Sequence, residues 1–358
     1  MQSSTTANWS SNDRTRGWGP QRRNLIGACL AHLLHDGYTD QLYALLPIWQ
    51  PEFGLSYAGL AMIRALYYGT MGGLQVPADR LVAKLTPRAA LALATFIAAA
   101  GFLVMALPLG FPGLCLGLVI AGIGSSVQHP RASLLVANTY GTASRGPLGF
   151  YNFAGDVGKA IFPATVALLL PFVAWRTVVG LMSGVGLAVA FTLLALVPQQ
   201  PFTSSEREIL DTAGGDGRGF SLLLTIGAFD TATRMGYLLF LPFLIHAKGG
   251  TQATVGIGLA LLFAGGALGK ACCGWLGQHF GVVWSVIVTE AATALALFYT
   301  GVIGAGGLAP IAYGAIADHS NRSTGVVAAA LTAAAIIPMV LALRPFLRDG
   351  RAEESQIR

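Results

Sequence analysis

Long apolar runs, each near the ~20 residues that a membrane-crossing helix needs, recur from one end of the chain to the other. They fall at 24–49, 57–77, 88–108, 112–138, 147–172, 175–197, 219–246, 251–275 and 322–343, with one further apolar stretch at 281–317. Each predicts a membrane helix. Prolines within them, such as Pro163 and Pro310, are compatible with that, because neighbours in a membrane bundle satisfy the backbone groups they free. The first run is no secretory signal: it is too long, contains His32, His35, Asp36 and Asp40, and lacks a small-residue exit.

Composition agrees. The chain has 358 residues, of which 54% are hydrophobic and 11% charged, and its mean hydropathy is +0.62. A soluble domain carries about 25% charged residues, so a soluble enzyme and a disordered protein are both excluded. The net charge of +6 is no nucleic-acid footprint, since Lys and Arg fall mainly in tails and short loops. Cys29, Cys115, Cys272 and Cys273 lie in apolar runs and read as small core residues. Adjacent Cys272 and Cys273 lack metal-ligand spacing. Neither a metal cluster nor a nucleophile triad nor a nucleotide-binding loop is present in the sequence, so no cofactor and no enzyme activity are expected.

Loop charges set the orientation. Arg14, Arg16, Arg22 and Arg23 precede the first span, Arg80, Lys84 and Arg88 follow the second, and Arg145 follows the fourth. The loops 50–56 and 109–112 hold neither Lys nor Arg. The N-terminus is therefore expected in the cytoplasm, and so is the C-terminus, which carries Arg344, Arg348 and Arg351. The organisation predicted is a tail (1–23), a six-helix bundle (24–197), a polar linker (198–218), a shorter second bundle (219–343) and a tail (344–358), all in a bacterial-type inner membrane.

The halves repeat, as transporter halves do. Tyr43-Ala44-Leu45-Leu46-Pro47 is followed by Gly54, and Tyr237-Leu238-Leu239-Phe240-Leu241-Pro242 by Gly249. Asp36 and Asp230 precede these prolines by eleven and twelve residues. Phe150-Tyr151 with Gly155, Gly158 and Pro163 matches Phe298-Tyr299 with Gly301, Gly304, Gly306 and Pro310.

On these residues the chain resembles the major facilitator superfamily. Asp79-Arg80 with Lys84 resembles its loop motif, and Gly155, Gly158 and Pro163 its glycine-proline gating motif. The run Gly124-Ser125-Ser126-Val127-Gln128-His129-Pro130-Arg131-Ala132-Ser133, with His32, Asp36 and Leu45-Leu46-Pro47, resembles the fosmidomycin-resistance branch. The loop motif departs at Val82 and Ala83, and its second copy reads Gly277-Gln278, with no acid–base pair. The resemblance implies an all-α polytopic membrane protein of two pseudo-symmetric bundles, a monomer in a lipid bilayer.

The second half is short. Asp79 and Phe150 are 71 residues apart, whereas the matching Gly277 and Phe298 are 21 apart. Two helices' worth of sequence is missing, so about ten spans are expected rather than twelve. Stretch 281–317 then crosses once, its first part near 281–296 reading as the start of a ninth helix joined directly to an eleventh that begins near Leu297. Two tightly turned helices with the C-terminus outside are the alternative. The superfamily's tenth helix lines its cavity, so a non-transporting remnant or solute-binding membrane protein stands as a competing reading.

Ionisable residues inside spans are costly, which makes each a candidate for function. His32, Asp36, Asp40 and Tyr43 share one face of the first span, and Arg64, Tyr67 and Tyr68 one face of the second. His129 shares a face with Ser126 and Ser133, with Arg131 turned away. Asn152, Asp156 and Lys159 follow in span five, and Asp230, Arg234 and Tyr237 in span seven. Asp156–Lys159 and Asp230–Arg234 are spaced for intrahelical ion pairs. Asp36, Asp40 and Arg64 have no obvious partner on their own helices.

Together these residues predict a proton-coupled secondary transporter of a small anionic or amphiphilic solute. Arg64, Tyr67, Tyr68, His129, Asn152, Arg234 and Tyr237 would bind solute, and Asp36, Asp40 and His32 would take the proton. Asp79, Arg80, Gly155, Gly158, Pro163, Gly306 and Pro310 would serve gating. Efflux by antiport is implied by the resemblance; uptake of an organic anion is the alternative.

Overall fold

The computed structural model describes residues 19–199, 217–281, 283–291 and 316–354. Among them are nine long helices and no strand: α1 (Pro20–Phe53), α2 (Tyr57–Leu81), α3 (Pro87–Ala106), α4 (Gly110–Tyr140), α5 (Arg145–Leu169), α6 (Trp175–Leu196), α7 (Gly217–Ala247), α8 (Gln252–Phe280) and α9 (Arg322–Glu354). Each expected span from 24–49 to 251–275, and the one at 322–343, coincides with one of them. Residues 283–291 are helical as well. The expected join within 281–317, with Gly306 and Pro310, lies mostly outside the described residues.

Helix starts follow local chemistry. Ser56 and Thr86 each accept from a backbone N–H three residues on, and Pro87 opens α3. Thr251 and Thr254 bond reciprocally at the start of α8. Gly54, at φ 62°, ends α1 in the left-handed conformation that glycine tolerates best.

α3, α4, α6 and the 252–269 part of α8 are long and apolar enough to cross a membrane by composition alone. α1, α2, α5 and α7 carry most of the ionisable candidate residues, and α4 adds His129 and Arg131. In the first half, α1 packs along α5 and α4, α4 along α2 and α3, and α6 along α3. Small residues allow these contacts. A Cβ at Gly158 would overlap the Leu33 carbonyl, and one at Gly101 would overlap the Ala121 backbone. Large apolar side chains such as Leu103, Phe153, Ile161 and Phe191 point outward, as a lipid-facing surface requires.

In the second half α9 lies against α7, and the halves meet where α8 packs on α5 and α7 on α1. A Cβ at Gly256 would come within 2.7 Å of Ala167. At the end holding the α1–α2 turn the halves are closed together. Gln252 donates to the Ala44 carbonyl at 2.6 Å, and Tyr57 stacks against Phe240 and Phe243. The Asp318 carboxylate accepts from the Tyr57 and Ala58 backbone N–H groups, both at 3.3 Å, at the start of α2.

Candidate functional site

Asp36 is the hub of a buried cluster between α1, α4 and α5. Its Oδ2 receives the His32 imidazole at 3.0 Å and the Lys159 ammonium at 2.9 Å, and His129 Nε2 stands 3.7 Å from Oδ1. His32 is edge-on to Tyr151, with centroids 4.0 Å apart, and to His129 at 5.3 Å. The cluster exists because α5 comes very close to α1. A Cβ at Gly155 would overlap the His32 ring and lie 2.6 Å from Asp36 Oδ2. Gly155 and Gly158, expected as gating residues, are thus the close-approach seam of the cluster. Pro163 is buried one turn beyond, within an unbroken α5.

Two expectations change here. Asp36 has a partner on its own helix after all, His32 one turn back. The intrahelical Asp156–Lys159 pair forms at 3.8 Å, but Lys159 is nearer to Asp36. Tertiary approach of α5 to α1 overrides the i,i+3 spacing, and Lys159 belongs to the site.

Asp40 and Arg64 form a second group one turn further along α1. Both are about 97% buried at the side chain, and Arg64 Nη2 is 3.8 Å from Asp40 Oδ1, an ion pair without a hydrogen bond. Arg64 Nη1 donates to the Thr39 carbonyl at 2.6 Å. The guanidinium lies over the Tyr43 ring at 4.1 Å and over Tyr68 at 4.8 Å. Its Nε and Nη2 have no hydrogen-bond acceptor among the described residues. These residues wall a cavity of about 390 Å³ between the halves. Tyr43, Arg64 and Tyr68 form one side, and Ala228, Thr231, Met235 and Leu239 of α7 the other. Tyr43 also bonds Met235 Sδ across the gap, at 3.1 Å.

The remaining candidates separate. Tyr67 is turned into the bundle, where it bonds Ser125 at 2.7 Å and Thr39 at 3.3 Å. His35, not singled out as a ligand from sequence, joins that network through Ser125 at 2.8 Å and Thr95 at 3.2 Å. Asn152 is exposed and outside the cluster's bonds. Tyr237 packs on Ala330 and Ala333, between α7 and α9. Among the described residues no ion pair joins Asp230 and Arg234, both of which are exposed. Arg234 is instead within electrostatic reach of Asp40. Arg131, facing away from His129, pairs with Asp79 at 2.6 Å and so fastens α4 to the end of α2, while Arg80 is exposed.

His32, Asp36 and His129 bring three potential metal-ligating atoms within 4.8 Å of one another. Lys159 already places a fixed positive charge on the same carboxylate, which opposes a divalent cation there. The cluster holds a carboxylate, two imidazoles and an ammonium against one another.

A family model describing the Major Facilitator Superfamily matches residues 28–218, more than half of the chain. The chain belongs to the Major Facilitator Superfamily. That superfamily comprises multi-pass membrane transporters rather than enzymes. Among curated proteins, this superfamily member is 26% identical over 170 residues to the Fosmidomycin resistance protein of Escherichia coli (strain K12), covering 46% of the chain and 42% of the relative. It is 25% identical over 147 residues to the Probable L-galactonate transporter of the same organism, covering 40% and 32%. The chain thus spans less than half the length of either relative. Among solved structures it resembles an inward-facing, unoccupied bacterial homolog of the human lysosomal transporter Spinster, with TM-score 0.59, 18% identity and coverage of 91% and 76%. It also resembles a D-xylose-proton symporter, with TM-score 0.59, 15% identity and coverage of 88% and 80%.

Proposed function

We propose that this superfamily member is a proton-coupled secondary transporter of a small anionic or amphiphilic solute, working by alternating access as a monomer in an inner membrane. The observation that carries the reading is the cavity between the halves, with Arg64 stacked on its aromatic wall and hydrogen-bonding capacity to spare. A guanidinium held over aromatic rings suits an anion with an apolar body. The proton site is Asp36 with His32, and Asp40 is the carboxylate shared with the solute site. Asp79 with Arg131, Arg80, and the Gly155–Gly158–Pro163 seam serve gating, and Gly306 and Pro310 are their counterparts in the second half.

With both termini in the cytoplasm, the closed α1–α2 end is the outer one. Export is supported by the similarity to the Fosmidomycin resistance protein. The similarity to the Probable L-galactonate transporter supports an organic anion as solute, and uptake is the alternative direction. The test is flux in proteoliposomes under an imposed pH gradient, with fosmidomycin and L-galactonate as the first probes. Gradient-driven flux that requires Arg64 supports the proposal. A folded chain that binds a probe without flux supports a solute-binding remnant instead.

A further inference from the structure

Three buried carboxylates, Asp36, Asp40 and Asp156, lie beside two cations, the half-buried Lys159 and the buried Arg64. Lys159 faces more than one of these carboxylates, so each of its pairings is made at the expense of another. Lys159 is the cation in the middle. It is 2.9 Å from Asp36 and 3.8 Å from Asp156, and Asp40 is also within its electrostatic reach. Asp40 lies four residues beyond Asp36, a rise of about 6 Å along α1. A lysine ammonium on a flexible four-carbon stem can cover such a step, and the Lys159 side chain, 20% exposed, has room to move.

The surrounding charges leave this role to Lys159. On α1, His32 bonds Asp36, and His35 is held by Ser125 and Thr95. On α2, Arg64 is anchored to the Thr39 carbonyl and its two tyrosines. From α4 comes His129, and from α5 Tyr151 on the far side of His32. From α7, Arg234 acts on Asp40 at longer range. The 252–269 part of α8, which packs on α5, holds no charged residue.

We infer that Lys159 is the positioning residue that carries the protonation state of Asp36 to Asp40, and through Asp40 to the Arg64 wall of the cavity. With Asp36 ionised, Lys159 stays on it and Asp40 balances Arg64. When a proton from water binds an Asp36 oxygen, that carboxyl loses its charge and Lys159, keeping its own proton, turns to Asp40. Arg64 then gives up its counter-charge and presents its unpartnered N–H groups to an anion. Proton and anion therefore bind together rather than in competition, which fits symport, the uptake alternative, and not export by antiport. This rests on the proposed reading of Asp36 as the proton site and adds the residue that transmits its state.

Infrared difference spectroscopy of the full chain in lipid, acidified minus neutral, reads both ends of the relay without a solute. The Asp36 carboxyl band is assigned by its loss in Asp36→Asn, and the Asp40 carboxylate band by its loss in Asp40→Asn. The expected result is an Asp40 band that shifts as Asp36 protonates, keeps that shift in Lys159→Arg and loses it in Lys159→Met. Asp36→Asn, which removes the charge for good, is expected to show the shifted Asp40 band already at neutral pH. Asp36 protonation without an Asp40 response, or a response that survives Lys159→Met, would overturn the relay alone. An Asp36 that never protonates would overturn the proton-site reading and the relay with it.

Discussion

The carboxylate of Asp79 and the guanidinium of Arg131 meet at 2.6 Å, but the two are not equally buried: the Arg131 side chain is 5% exposed and that of Asp79 35%. Arg131 also donates to the Asp79 main-chain carbonyl at 2.6 Å. Removing either side chain costs the other this ion pair, although Arg131 keeps its bond to the main-chain carbonyl at position 79, and the groups left behind differ. Asp79→Ala leaves a guanidinium with almost no water, so a loss of about 3 kcal/mol in stability is expected. Arg131→Met leaves a carboxylate that water already reaches, so about 1 kcal/mol is expected. Thermal unfolding of the two variants in detergent checks the order; equal losses would contradict it.

The seam between α1 and α5 predicts a sharp contrast between glycines. A methyl at Gly155 would collide with His32, whereas Gly149, at the start of the same helix, has nothing within 4 Å. Gly155→Ala is expected to cost about 1–3 kcal/mol through overpacking. Gly149→Ala is expected to be neutral or to stabilise by about 0.5–1 kcal/mol through helix propensity. Thermal melts, with circular dichroism to check helix content, distinguish the two.

The closed end predicts a conformational effect. Asp318 of the second half holds two N–H groups at the start of α2, where a negative charge is favoured by about 0.3–1 kcal/mol. Asp318→Ala is therefore expected to raise the population open at this end roughly two- to five-fold. Spin labels at Phe172→Cys and Lys248→Cys, in a chain without its four native cysteines, report that opening as a longer distance. An unchanged distance distribution would show that the contact is incidental.

The two histidines of α1 predict different phenotypes. His35 bonds two hydroxyls in a network away from Asp36, whereas His32 bonds the Asp36 carboxylate directly. His35→Asn is expected to lower the melting temperature and leave the pH dependence of transport in place. His32→Asn is expected to change that pH dependence. The pH profile of flux in the two variants decides between a structural and a functional imidazole.

Much of this was legible in the sequence because membrane helices announce themselves. The apolar runs matched the helices, and the spacing of His32, Asp36, Asp40 and Tyr43 placed them on one buried face. Helical phase also turned Arg131 away from His129, as observed. Which helix meets which, and at what depth, leaves no mark in periodicity. Lys159 could be seen only as an i,i+3 neighbour of Asp156, because the contact with Asp36 depends on how closely Gly155 and Gly158 let α5 approach. For the same reason helical phase puts Tyr67 at the solute site, although Ser125 and Thr39 draw it inward. His35 escaped notice as a network member because its partners lie on α3 and α4. Asn152 has the right residue type and shares a face with Asp156 and Lys159, but it lies a turn before them, where α5 is exposed.

The central claim is that Asp36 and Arg64 couple a proton to a solute across the cavity. Solute flux together with internal pH, followed in proteoliposomes holding the full chain, tests it most directly. The account predicts probe-dependent proton movement, loss of the proton component in Asp36→Asn, and loss of probe binding in Arg64→Gln, with both variants folded. Probe flux in the parent chain that is indifferent to the pH gradient and unchanged in Asp36→Asn would contradict it.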